Sequence, residues 1–307
     1  MSSAASPTNP SPIDRLALAA RDIKLAHSVF ALPFALLAAF LARPADGPWT
    51  RLAAQLALVV VCMVAARTWA MMVNRLADRA FDAANPRTAR RAVASGALPV
   101  RDARLITAAA AALFIAGCAL FAVFFANLWP LALAGPVLGW ISLYSYTKRF
   151  TALCHLFLGG ALAMSPIAAA IAVDPASLER CPALFLLAGF VLFWVAGFDV
   201  IYALQDVEFD RATGLRSLPQ MLGPGRAIVA SRLLHALAAA LLLAAWRADA
   251  RFGPVFGAAC VLACGLLIAE HAILARRGKA GLDTAFFTVN GVVSCLVGAA
   301  GIADALA

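Results

Sequence analysis

Two segments of the chain, Asn74-Arg-Leu-Ala-Asp78-Arg-Ala-Phe-Asp82 and Asp199-Val-Ile-Tyr202-Ala-Leu-Gln-Asp206-Val-Glu-Phe-Asp210, carry polar side chains at every fourth residue. At 3.6 residues per turn, Asn74, Asp78 and Asp82 project from one helix face, as do Tyr202, Asp206 and Asp210. Carboxylates stacked this way repel one another. A divalent cation reverses that sign, and hard oxygen ligands are what Mg²⁺ takes. The pattern predicts a Mg²⁺ and diphosphate site, with Asn74, Asp78, Asp82, Asp206 and Asp210 as metal ligands.

A diphosphate beside carboxylates needs further positive charge, and guanidinium forks bind phosphate in bidentate fashion. Arg87 and Arg91 follow the first cluster, Arg211 follows the second, and Lys148 ends an apolar stretch; with Lys24 these are the candidate substrate cations. Asp199 and Arg67 lie inside apolar stretches, where a charge costs roughly 2.5–3.5 kcal/mol on insertion scales and marks a polar cavity. Tyr202 shares the neighbourhood of Asp199, and the two are the candidate catalytic pair. Arg67 stands two turns before Asn74 on the same face. It either binds an anionic acceptor or neutralises Asp199, and the sequence leaves both readings open.

These residues must be positioned by a membrane bundle. Hydrophobic residues make up 64% of the 307, charged residues 13%, against roughly 45–50% and 25% in soluble proteins. Apolar spans fall near 25–42, 52–73, 105–126, 128–147, 151–173, 183–203, 227–246, 254–275 and 285–306, each about the ~20 residues that cross a bilayer. The expectation is an all-α polytopic membrane protein, nine transmembrane helices in one bundle. A disordered tail (1–14) would precede a single membrane domain (15–307). Assigning the N-terminus and alternate loops to one side places 19 of the 25 Lys and Arg there, which predicts N-terminus in, C-terminus out, and both acidic clusters facing the cytoplasm. The net charge of +9 is then mostly this asymmetry rather than a nucleic-acid footprint. Loops 2–3 and 6–7 are long, and are expected to form cytoplasmic caps over the acidic clusters. No cleaved signal peptide is apparent, and the seven cysteines are scattered, as small core hydrophobes are.

The motifs resemble those of the UbiA superfamily of intramembrane aromatic prenyltransferases. Asn74, Asp78 and Asp82 match N-x-x-x-D-x-x-x-D, and Asp199, Tyr202, Ala203, Asp206 and Asp210 match D-x-x-Y-A-x-x-D-x-x-x-D. The segments Ile23 to Phe34, Arg67 to Arg75 and Phe198 to Tyr202 are most similar to the 4-hydroxybenzoate polyprenyltransferase-like branch. Lys24-Leu-Ala-His27 departs from that branch and is similar to members serving a menaquinone pathway. The resemblance implies Mg²⁺-dependent transfer of a polyprenyl group from polyprenyl diphosphate to 4-hydroxybenzoate or 1,4-dihydroxy-6-naphthoate, at the inner membrane, in ubiquinone or menaquinone biosynthesis. A different acceptor is the alternative within the family. A transporter is the rival outside it, but transporters bury their site near the midplane, whereas these acids gather at one membrane face.

Overall fold

A computed structural model describes residues 12–22, 29–282 and 284–307. Lys24 and His27 lie outside the described residues. Helix α1 spans Pro12–Asp22, so it begins inside the stretch read as a tail, and α2 spans Leu32–Ala42. The long helices that follow are α3 (Trp49–Ala77), α5 (Val100–Phe125), α6 (Trp129–Thr147), α7 (Cys154–Val173), α9 (Ala183–Ala203), α12 (Pro224–Ala248), α13 (Pro254–Arg277) and α14 (Asn290–Leu306). Between them stand four short helices: α4 (Arg79–Ala84), α8 (Ser177–Arg180), α10 (Val207–Thr213) and α11 (Leu218–Leu222). No strand occurs among the described residues.

Seven of the helices among the described residues are long and apolar enough to cross a membrane, against the nine expected. The other two expected spans differ from that standard for separate reasons. The stretch at 25–42 is described as helix only over the 11 residues of α2. The 19-residue α6 is diluted by Pro130, Pro136, Tyr144, Ser145 and Tyr146.

Successive long helices pack side by side: α2 on α3, then α5, α6, α7, α9, α12, α13 and α14, and α14 returns to α2. The ring therefore closes. Helix α9 is the most enclosed of the seven spanning helices, with 67% of its apolar window buried, because α7 and α12 flank it along their lengths. Its Phe190, Trp194 and Phe198 stack with Phe30 and Phe34 to form the centre of the core. Small residues allow the closest approaches. A Cβ added at Gly159 of α7 would collide with the Leu192 carbonyl of α9, so contact there is backbone to backbone, as small residues permit in membranes.

Candidate active site

Both acidic motifs bend at their middle aspartate. Helix α3 stops at Ala77, Asp78 sits at φ −94°, ψ 9°, and α4 carries Asp82. Helix α9 stops at Ala203, Asp206 sits at φ −104°, ψ 4°, and α10 carries Asp210. The sequence reading of one straight helix face is therefore corrected: each motif is two helices with matching kinks. The backbone bonds Asp82 N–H to Asp78 O and Asp210 N–H to Asp206 O, both 2.7 Å, span four residues at the equivalent place in each motif.

The two motifs face each other across a cavity of about 150 Å³, whose wall includes Asn74, Asp78, Asp82, Asp206, Asp210 and Lys148. Asp82, Asp206 and Asp210 are buried, and each motif carboxylate has a polar partner. Arg87 grips Asp206 with two bonds, Nε to Oδ1 at 2.9 Å and Nη2 to Oδ2 at 2.6 Å, while Asn85 donates to the same Oδ1. Arg91 donates to both oxygens of Asp82 at 2.8 and 2.9 Å. Arg149 reaches Asp78 at 3.2 Å, and Asn74 donates to its other oxygen at 2.9 Å. Asp210 accepts the Ser217 hydroxyl at 2.8 Å. Arg87 and Arg91 thus cross from the segment after α4 into the site, one to each motif.

Electrostatics follow from this arrangement. Burial pushes the Asp206 carboxyl up, but the Arg87 fork, Lys148 and Asn85 together hold it below the usual carboxylate range. Asp78 and Asp210 end above that range, because burial outweighs Arg149 and Lys148. Lys148 loses hydration on burial, yet the field of Asp210, Asp199 and Asp206 raises its ammonium above the ordinary value. Lys148 therefore stays a cation among these carboxylates, beside Arg87 and Arg91.

The remaining candidates divide between the cavity wall and positions outside it. Asp199 and Tyr202 both line the cavity, but Asp199 bonds His155 Nδ1 at 2.7 Å. The pairing of Asp199 with Arg67 weighed from sequence is replaced by this bond; Arg67 lies half-buried on α3 and is not part of the cavity wall. Tyr202 stacks on Phe286 with centroids 4.2 Å apart and accepts a bond from Arg87. Arg211 is exposed on α10, outside the wall. Sequence reasoning missed Asn85, Arg149, His155 and Ser217. A polar histidine at the start of an apolar span was the available signal for His155; the others come from loops, whose contacts no periodicity encodes.

Among the described residues, no three His, Cys, Asp or Glu side chains converge as a self-contained metal cluster. The donor chemistry still fits Mg²⁺, which commonly binds through one or two carboxylates plus substrate phosphates rather than an all-protein cage.

The chain is thus a closed helical bundle with paired acid-and-arginine motifs at one end. The UbiA prenyltransferase family model matches residues 31–292. Among solved structures, the chain resembles an apo UbiA homologue from Aeropyrum pernix K1, with 33% identity, TM-score 0.79, and 91% of this chain and 98% of that one covered. It shares its fold with a UbiA homologue from Archaeoglobus fulgidus bound to GPP and Mg²⁺, with 22% identity, TM-score 0.65, and 94% and 100% covered. A 4-hydroxybenzoate octaprenyltransferase of Nitrosomonas europaea is 31% identical over 76% of this chain and 77% of its own length. One from Aromatoleum aromaticum is 32% identical over 75% of each. The chain belongs to the UbiA prenyltransferase family. It is a multi-pass membrane prenyltransferase.

Proposed function

We propose that this enzyme transfers a polyprenyl group from polyprenyl diphosphate to an aromatic carboxylate, 4-hydroxybenzoate or 1,4-dihydroxy-6-naphthoate, in ubiquinone or menaquinone biosynthesis. The observation that carries it is the pair of kinked motifs facing one cavity, each with an arginine from the same loop. Asn74, Asp78, Asp82, Asp206 and Asp210 would hold Mg²⁺ together with the diphosphate, and Asn74 also bonds Asp78. Bound there, Mg²⁺ would supply charge neutralisation for the leaving diphosphate. Arg87, Arg91 and Lys148 add fixed cations around it, and Lys24 and Arg211 complete the set of basic residues assigned to substrate. Leaving-group departure creates an allylic cation, which apolar walls shield from water until the aromatic ring attacks. Asp199 and Tyr202 orient the acceptor hydroxyl, and Asp199 takes the proton lost on rearomatisation; Arg67 receives the carboxylate. The site faces the cytoplasm of an inner membrane, with loops 2–3 and 6–7 as caps.

Purified protein supplied with a labelled prenyl diphosphate and each acceptor tests this. Turnover should require Mg²⁺ and stop on chelation, and Asp78→Ala and Asp206→Ala should nearly abolish it without loss from the membrane. Full activity in either variant overturns the metal assignment.

A further inference from the structure

His155 lies in the first turn of α7 and has no exposed side-chain surface. Both ring nitrogens are used. Nδ1 lies 2.7 Å from Asp199 Oδ2, and Nε2 lies 3.3 Å from the Leu218 backbone nitrogen. A backbone amide only donates, so Nε2 is the bare nitrogen, and Nδ1 carries the hydrogen that it gives to Asp199. The second bond therefore sets the tautomer that makes the first one possible.

Leu218 belongs to a segment anchored on the diphosphate side of the site. Gly214, at φ 73°, ends α10 and turns the chain back. The Arg216 N–H then donates to the carbonyl of Lys148 at 2.6 Å, and its guanidinium to the carbonyl of Phe150 at 2.8 Å. Ser217 is buried, and its hydroxyl donates to Asp210 at 2.8 Å. Leu218 follows and meets His155. An unbroken path of contacts thus runs from Asp210 through Ser217, Leu218 and His155 to Asp199.

We infer that His155 is a positioning residue with two separable duties: its Nδ1–H aims Asp199 at the acceptor, and its Nε2 latches the 216–218 segment beside the diphosphate carboxylates. The inference rests on the reading of Asp199 as the acceptor-side carboxylate. It means that in the wild-type chain one imidazole links the position of this segment to the orientation of Asp199, although side chains that replace only one of the two bonds can divide the duties.

Two near-isosteric variants separate the duties. His155→Asn keeps an N–H donor at the δ position but has no acceptor at the ε position. His155→Gln places an acceptor at the ε position and has no δ donor. In the purified full-length enzyme, His155→Gln should lower kcat about 10- to 100-fold, with the KM for prenyl diphosphate near wild type, the scale of one hydrogen bond to a charged group. His155→Asn should do the reverse, keeping kcat within a few-fold and raising the donor KM about 10-fold or more. His155→Ala should show both losses. The inference is overturned if Asn and Gln damage the same parameter equally, or if neither changes either parameter. Asp199→Asn serves as the control: wild-type turnover there removes the underlying reading of Asp199. A dead Asp199→Asn beside unaffected His155 variants removes the His155 inference alone.

Discussion

At the scale of single residues, the site is organised by neutralisation. Five aspartates line a cavity of about 150 Å³, and the four at Asp78, Asp82, Asp206 and Asp210 would repel strongly at low dielectric. Arg87, Arg91, Arg149 and Ser217 each take one of them. The fork of Arg87 on Asp206 is the tightest of these, at 2.6 Å for its shorter bond. Arg87→Ala therefore removes the ion-pair partner of Asp206 and, on the proposed function, a cation assigned to the diphosphate. Its expected effect is a donor KM raised about 10- to 150-fold, the equivalent of roughly 1.5–3 kcal/mol; unchanged donor kinetics would reduce Arg87 to a solvated loop cation. Arg67→Ala should instead raise the acceptor KM while donor binding survives. Because Asp199 is held by His155, the added change Asp199→Ala is expected not to restore acceptor use. Restoration in that double variant would show that Arg67 and Asp199 pair after all.

At the scale of elements, the matching kinks matter more than the helices themselves. A straight helix would stack three polar side chains along one line. Bending at Asp78 and at Asp206 folds the last carboxylate of each motif over the cavity. The bends are held from outside: Thr88 donates to the Asp82 carbonyl, and Ser217 both bonds Asp210 and caps α11. Helix α9 can place its half of the site only because α7 lies against it at Gly159. Glycine-to-alanine in a free helix is stabilising by up to ~1 kcal/mol. Here the added methyl meets the Leu192 carbonyl, so Gly159→Ala is expected to destabilise by about 1–3 kcal/mol, as overpacking does. Thermal unfolding in detergent decides the sign, and a raised Tm would refute the close approach.

At the scale of the whole molecule, charge is segregated along the bundle axis. The acidic motifs and their cations lie at one end. At the other, Arg251 is bonded to Asp249, to the Leu41 carbonyl and to Cys181, tying the α12–α13 turn to the end of α2. The positive-inside bias predicts that the site end faces the cytoplasm. A phosphatase reporter that folds only outside the cytoplasm, fused after Ala307, should be active, and the same reporter placed in the loop after Pro86 should be silent. The opposite pattern would invert the orientation and move the site to the far side.

Much was legible in the residues alone. Continuous apolar runs of about 20 residues in a chain with 64% hydrophobic residues point to membrane helices, which satisfy their backbone internally in lipid. The spacing of Asn74, Asp78 and Asp82, and of Asp199, Tyr202, Asp206 and Asp210, identified the polar faces because a helix maps sequence period onto direction. Which face meets which is a different kind of information. Asp206 takes Arg87, Asp199 takes His155, and Asp210 takes Ser217, and of these only the last joins near neighbours in the chain. The first pair lies 119 residues apart and the second 44. Such contacts depend on ring closure and on loops without periodicity, so packing alone decided that Asp199 answers to a histidine and not to Arg67.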